Sequence, residues 1–531
     1  MKRIRRRELL KQAVVRSGAV ALALGAGAAS RGFPAVIVRA ASSPVARNDT
    51  FVVSQGTEPN SLDPAVGTGP FQGIINAIFD GLVQWNEKGE IVPALATSWS
   101  VATDGRTWTF VLRSGVKFHD GTPFTSAAVK ATIDHINDKS VPATRRGNYQ
   151  LIKDVATPDD HTVRFTTDPP NPDFALLMAD GSAKIVSPTA LRTYGQDFGR
   201  HPVGTGAFAF EEWVPNDHAS ATANPDYWGP KPRVRRFVYR PIPEAAARVV
   251  VLKTGEADVV LDLPPADIDA LKQETGLTAR ATPAAEIAEL EPAQTKAPLH
   301  DVRVRRALNM AIDKDAIIRG IMKGYAIPLN SPGIPGIWGS YNFAPVKYDP
   351  VAAKNLLAEA GYPNGMDLTI NITDGRWAGD TQVVEAVQGY WTLIGLRVVV
   401  HSMDFATLLV GSSSDPDTRP GAMTSLLKAS PYIDYHLYRM YDSAATNVPG
   451  TQQRTGYSNP QVDKLLDQER STFDPAKRLP ILRQAQALIW QDQPLIYLFQ
   501  MVNLWGSRNG TSGYIVLPTG DFVPGQLARR S

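Results

Sequence analysis

The chain has 531 residues, unremarkable apolar (43%), aromatic (8%) and charged (20%) fractions, and no cysteine. That length exceeds the roughly 250–300 residues over which one hydrophobic core grows, so at least two lobes are required. The missing thiols exclude disulfides, thiolate metal sites, a cysteine nucleophile and a lipobox lipid anchor.

The formal charge of +3 belongs to the first 40 residues, which hold nine Lys or Arg against Glu8 alone. The remainder carries 46 basic and 51 acidic residues, a net of −5, and offers no case for a nucleic-acid partner. Arg6-Arg7-Glu8-Leu9-Leu10-Lys11 resembles the twin-arginine export motif, and a weakly hydrophobic Ala/Val/Leu/Gly run from Ala13 to Ala29 follows. That run is Gly-rich and shorter than the about 20 apolar residues a membrane span needs. Val38-Arg39-Ala40 gives a small-residue cleavage site before Ala41, with Ala26-Gly27-Ala28 as an earlier alternative. Residues 1–40 are therefore expected to be a removed signal peptide, leaving the mature chain free in the periplasm.

Phe51-Val52-Val53 reads as a short strand, followed by Glu58-Pro59-Asn60-Ser61-Leu62-Asp63-Pro64 and the backbone-rich loop Gly67-Thr68-Gly69-Pro70, then an apolar helix from Ile74 to Phe79. Thr68 and Gly69 can offer a hydroxyl and N–H groups to a small ligand, or serve as a plain connector. Thr107-Trp108-Thr109-Phe110-Val111-Leu112 alternates like a half-buried strand, with turns at Asp104-Gly105, Ser114-Gly115 and Asp120-Gly121. Thr125 suits the N-cap of a helix running to about Asn137, and Val163 to Thr166 forms another strand. Gly204-Thr205-Gly206 lacks the GxxxxGK[ST] continuation that a phosphate loop needs.

Gly255 closes a helix before the strand Val259-Val260-Leu261. Ala307, Leu308, Ala311 and Ile312 share a helix face, as do Ile317, Ile318, Ile321 and Met322 before Gly324. Arg303, Arg305 and Arg306 read as a solvated or salt-bridged helix start. Asp349-Pro350 caps a helix ending at Gly361, strand Leu368–Ile372 follows, then a helix through Trp391 to Gly395 and a strand from Leu396 to Val400. This β-α-β order predicts a parallel pair with a crossover helix. Gly411 to Gly421 is loop, and helices from Val462 to Arg470 and Ala476 to Trp490 precede the strand at Leu495-Ile496-Tyr497-Leu498.

Several words are more specific than these elements. Pro93 to Phe124 closely resembles the PALAxSWxxxxDGxxxxFxLRxGVxFxDGxPF signature of the peptide/nickel family of ABC-importer solute-binding proteins. Glu58–Pro64, His201–Phe208, Asn224-Pro225-Asp226-Tyr227-Trp228, Leu252–Asp258 and Asp301–Asp313 are similar to further words of that family. The resemblance implies an α/β, two-lobe periplasmic-binding-protein fold of type II, in the large peptide-binding cluster with an extra subdomain. Lobe I would comprise 41–285 and 494–531, with the subdomain at about 81–200, and lobe II 286–493. A hinge is expected at Glu291, Pro292 and Pro494, where the family's aromatic and asparagine give way to Pro292 and Ala293.

The implied function is capture of a small peptide or peptide-like solute by a monomer that delivers it to membrane permease subunits. Relatives hold the peptide carboxylate with an arginine and its ammonium with a lobe II aspartate. The arginine's neighbourhood falls on Arg376, beside Trp377. The family's W-x-x-D word should fall on Ser425–Asp434, where Trp and the first Asp are missing and Lys428 stands almost in the carboxylate's place. Either Asp434 substitutes from a shifted position, or the ligand is anionic at that end. Tyr432 and Tyr435 could wall the site, or pack in the core.

The same fold could instead serve an opine, an oligosaccharide or a nickel or other metal chelate, or a secreted enzyme or chaperone. No enzymatic activity, cofactor or resident metal is expected: the eight histidines are isolated, with no HExxH, and no GxSxG elbow occurs. Exported protein should begin at Ala41 by intact mass, and the double substitution Arg6→Lys/Arg7→Lys should leave the full-length precursor in the cytoplasm. A mature protein starting elsewhere, or unaffected export, refutes this reading.

Overall fold

In the computed structural model, the described residues are 49–67, 72–143, 145–373, 377, 379–403, 407–408, 421–429, 432–445 and 455–529. Their backbone is organised by one mixed sheet of eleven strands. From one edge the order is Arg397–Met403, Asp367–Thr373, Ala422–Ala429, Leu277–Pro292, Ile496–Arg508, Val259–Val260, Thr50–Gln55, Arg236–Pro241, His218–Ala223 and Phe208–Val214. Ala326–Pro328 adds to Ile496–Arg508 off this path. The first three strands and the last five occupy different parts of the molecule, and the long antiparallel pair Leu277–Pro292 and Ile496–Arg508 joins them.

Pairing along these two strands is regular from Leu277↔Arg508 to Pro283↔Val502 and resumes at Ile287↔Gln500. Four residues on one strand there span two on the other, a bulge that frees Ala284–Glu286 from the ladder. Neighbours collect the released groups. Gln500 donates Nε2 to Ala284 O and Pro335 O, both at 2.8 Å, and Ala285 N donates to Pro518 O at 2.7 Å.

The crossing strand thus starts ten residues before Ile287 and stops at Pro292. Proline, which lacks an N–H to extend the ladder, is its last residue. The return strand begins at Ile496, two residues after Pro494.

Local expectations fare well where one element decides them. In Thr107–Leu112 the residues Trp108, Phe110 and Leu112 are buried, and the strand sits between Ala96–Val101 and Thr162–Thr167 in a separate four-stranded sheet completed by Ile152–Asp159. Phe110, Phe165 and Phe174 meet at ring separations of 5.2–6.3 Å in the core of this subdomain. Asp367–Thr373 pairs parallel with Arg397–Met403 across the helix Asp380–Leu393, as the β-α-β order predicts. Trp391 on that helix is fully buried, and its indole N–H donates to Leu308 O at 3.0 Å.

Two expectations change. Thr125 precedes the helix Ser126–Asn137 but makes no side-chain cap. Arg305 is buried rather than solvated, donating to the carbonyls of Leu299, His300, Asp492 and Gln493 at 2.7–2.9 Å.

The Gly204-Thr205-Gly206 word proves to be a close-packing device. A Cβ on Gly204 would lie 2.2 Å from Ile78 O, and one on Gly206 would lie 2.4 Å from Ala77 O, both backbone atoms at the end of the helix Gln72–Ile78. Between them Thr205 donates its hydroxyl to the buried Asp80 at 2.9 Å. Gly206→Ala should therefore destabilise the protein by about 3 kcal/mol through overpacking, read as the midpoint of urea unfolding. An unchanged midpoint would show that this approach is not constraining.

Candidate functional site

Those residues singled out in the sequence that are described stand at several places in the fold. Thr68, Gly69 and Arg376 lie outside the described residues. The backbone of Lys428 stands opposite Ile287, at the resumption of the crossing ladder. Trp377 is half-buried and meets Phe499 of the return strand edge-on at 5.9 Å, packing with the core of lobe II. Glu291 and Pro292 pair with Thr424 and Met423, inside the lobe II part of the sheet. Pro494 O accepts from Gln294 Nε2 at 3.1 Å.

Tyr432 and Asp434 begin the helix Ile433–Tyr441. Tyr432 is buried, not in the core of lobe II but in that of the subdomain, whose Tyr149 belongs to the same cluster. Its ring lies 5.3 Å from that of Tyr435, whose hydroxyl accepts from Asn148 Nδ2 of the subdomain at 3.3 Å. These two tyrosines bring lobe II onto the subdomain. Asp434 is 2% exposed, and Arg470 donates to both its oxygens at 2.6 and 3.1 Å while stacking 3.4 Å from the Tyr438 ring. A planar guanidinium fork matches a carboxylate in this way, so the Asp434 charge is taken up inside lobe II.

A different group of side chains forms a polar wall beside Tyr432. Arg145 donates to Asp180 at 2.6 Å, and Asp180 also accepts from Ser182 N, capping the turn Gly181–Ala183. Tyr149 shares a 2.8 Å hydrogen bond with Ser182. Lys184 follows this turn and makes no ion pair or hydrogen bond among the described residues. Burial pushes its ammonium down from the usual lysine value, against the attraction of Asp80, Asp521 and Asp180.

Asp521 approaches from the C-terminal hairpin, Thr511–Val516 and Phe522–Arg529. Burial raises its carboxyl to about 6, opposed by the Thr519 hydroxyl at 2.7 Å and by the charges of Arg145 and Lys184. Both Lys184 and Asp521 nevertheless retain accessible surface. Gln72, the first residue of the helix Gln72–Ile78, packs against the turn: a Cβ on Gly181 would come within 2.6 Å of its Oε1.

The wall also reaches the crossing strands, because the turn carrying Asp521 holds Ala285 through Pro518 O and accepts from Asn503 Nδ2 at Leu517 O and Pro518 O. Its members are spread from 145 to 521, and none falls in a repeated word or a periodic stripe. The one sequence signal was the Asp180-Gly181-Ser182 turn, which resembles any other surface turn.

Residues 90–462 match the family described as "Bacterial extracellular solute-binding proteins, family 5 Middle". The chain belongs to this family. It is accordingly a solute-binding protein of the type that serves ABC importers. It is 31% identical over 522 residues to the glutathione-binding protein GsiB of Shigella dysenteriae, covering 97% of this chain and 98% of that one. The GsiB of Escherichia coli K12 is 30% identical over the same length.

Among solved structures, DppA of Helicobacter pylori in complex with the peptide STSA superposes with a TM-score of 0.80 at 27% identity, covering 91% of this chain and 98% of that one. AgaA of A. tumefaciens R10, in complex with agropinic acid, gives 0.78 at 27% identity, covering 90% and 95%. The type II two-lobe fold expected from the sequence is thereby established, and the family is one of binding proteins. No helix among the described residues is long and apolar enough to cross a membrane.

Removing one partner of a buried ion pair strands the other. Asp434→Asn should therefore cost about 3 kcal/mol of stability in the ligand-free protein, measured by urea unfolding. A variant as stable as the parent would return Asp434 to the role of ligand anchor.

Proposed function

We propose that this protein captures a small peptide-like solute carrying both free carboxylate and free ammonium groups, closes its lobes around it, and presents it to the permease of an ABC importer. The observation that carries this reading is the Lys184–Asp521 wall: a cation without an ion-pair partner among the described residues and a desolvated carboxylate, next to the Arg145–Asp180 pair and under Tyr432 of lobe II. Opposite charges on one desolvated surface suit a zwitterion. Lys184 would take a carboxylate and Asp521 an ammonium, a role that Asp434, held by Arg470, is not free to fill. The bulge at Ala284–Glu286 is where the paired strands can flex, and the attached Pro518 turn would carry Asp521 with it. Arg376, Trp377, Lys428, Thr68 and Gly69 remain proposed contributors. Export by the N-terminal arginine pair and action in the periplasm as a monomer complete the reading.

Glutathione is the first compound to test, since GsiB is named for it and it carries two carboxylates and one ammonium. In a thermal-shift panel of reduced glutathione, di- and tripeptides, agropinic acid and a nickel–histidine complex, glutathione or a short peptide should give the largest shift. Ligand at 100 times its dissociation constant adds about 2.7 kcal/mol of stability. A shift with the opine or the nickel complex alone would overturn the peptide reading. For the compound that binds, Lys184→Ala should weaken affinity by about 2 kcal/mol in calorimetry without lowering ligand-free stability, because it removes a desolvated ammonium. Unchanged affinity would exclude Lys184 from the site.

A further inference from the structure

Lobe II touches the subdomain at a second place, formed by charge. Arg478, on the helix Pro475–Asp492, donates to both oxygens of Asp173 of the subdomain at 2.6 and 2.7 Å. The same guanidinium is paired with Glu469, which lies on the helix Pro460–Arg470 next to Arg470 and its partner Asp434. Side-chain exposure is 5% for Arg478, 6% for Asp173 and 0% for Glu469. Phe473 packs alongside, 6.4 Å from Trp108 and against Gly105, where a Cβ would come within 2.5 Å of its ring.

The groups facing Glu469 are therefore Arg478 and Asp434 on neighbouring helices of lobe II, Arg470 on its own helix, and Asp173 across the contact. Three carboxylates and two guanidiniums, all ionised, leave a net charge of −1 in a buried cluster. Lobe II by itself contributes two of each and is neutral; the excess arrives with Asp173. Moreover, Glu469 Oε2 is buried without a hydrogen-bond partner. An ionised carboxylate would leave charge on that unsolvated oxygen, whereas a neutral carboxyl would not.

We propose that closure of lobe II onto the subdomain takes up one proton, which Glu469 holds while Asp173 is docked on Arg478. This rests on the hinged reading above, in which the two surfaces separate. Burial, reinforced by Asp434 and Asp173 and opposed by Arg478, moves the Glu469 carboxyl up from its ordinary value of 4.5 to about 8 in the docked state. With Asp173 withdrawn and the surface wetted, Glu469 returns toward the usual glutamate range. The docked form is thus the one with the higher affinity for the proton. Docking is favoured progressively as pH falls below about 8, gains up to about tenfold per pH unit for one proton, and levels off near the glutamate range. The proton also makes the latch graded: an alkaline medium loosens the lobes.

The test uses the ligand-free full chain and its lack of native cysteine. Lys153→Cys in the subdomain and Lys464→Cys in lobe II, both exposed positions, accept a fluorophore pair whose transfer efficiency reports lobe separation. The closed fraction should rise several-fold between about pH 9 and about pH 6. Glu469→Gln, which mimics the neutral acid, should hold the closed fraction high and flat. Asp173→Asn, which removes the excess carboxylate, should also abolish the slope, so the proposal does not hang on one variant folding. Lobes that move without a pH slope in the parent, or a slope that survives in Glu469→Gln, would overturn the proton latch alone. Lobes fixed at one separation at every pH would overturn the hinged reading together with it.

Discussion

The antiparallel ladder between Leu277–Pro292 and Ile496–Arg508 is the constraint on which the remainder depends. Every strand of the large sheet is hydrogen-bonded, directly or through neighbours, to this pair. A continuous ladder would weld both sides into one rigid slab. The bulge between Pro283 and Ile287 interrupts it where the strands pass from one side to the other, and Gln500 and Pro518 meet Ala284 O and Ala285 N there. The proposed solute wall is tied to this break. The turn that bonds Ala285 carries Asp521, and the backbone of Lys428 stands opposite Ile287 on the neighbouring strand Ala422–Ala429.

Charge, more than apolar area, organises the surfaces that meet between lobe II and the subdomain. Buried ion pairs seldom stabilise a protein more than well-packed hydrophobic residues would. They suit a contact that opens under the proposed hinge motion, because guanidinium and carboxylate groups are readily rehydrated, whereas an apolar patch of equal size would be an aggregation risk once uncovered. Tyr432 and Tyr435 occupy a middle ground, with ring faces that fill space and hydroxyls that can return to water.

Elements whose period and punctuation lie within one stretch were legible in the sequence. Thr107–Leu112 and its turn, the parallel pair around Trp391, and the Asp349 cap, which accepts from Ala352 N at 2.8 Å, all follow from local patterns. The family words carried the architecture and the class of function. What failed to show was partnership at long range. Nothing near Asp434 signals that Arg470 will claim it, and the partner of Arg478 stands 305 residues away. The wall of Arg145, Lys184 and Asp521 is invisible for the same reason. Each is an ordinary charged residue in an ordinary turn, and only the fold makes them neighbours. The strand Leu277–Pro292 was not legible because the segment from Leu277 to Glu286 is poor in β-branched residues and is held in the sheet by its partner rather than by its own propensity.

The sheet also fixes an order of events during synthesis. Thr50–Gln55 is nearly the first described segment to leave the ribosome, yet its neighbour Val259–Val260 is backed by Ser507 and Gly506, and Thr50 O accepts from Arg529. Phe51 packs on Phe522 at 6.2 Å. Lobe I therefore cannot complete its core until all of lobe II and the final hairpin have been translated. A ribosome that stalls or terminates after lobe II but before the last thirty or so residues releases a chain in which Val259–Val260 lacks its partner strand and presents an open edge, a natural substrate for chaperones and proteases.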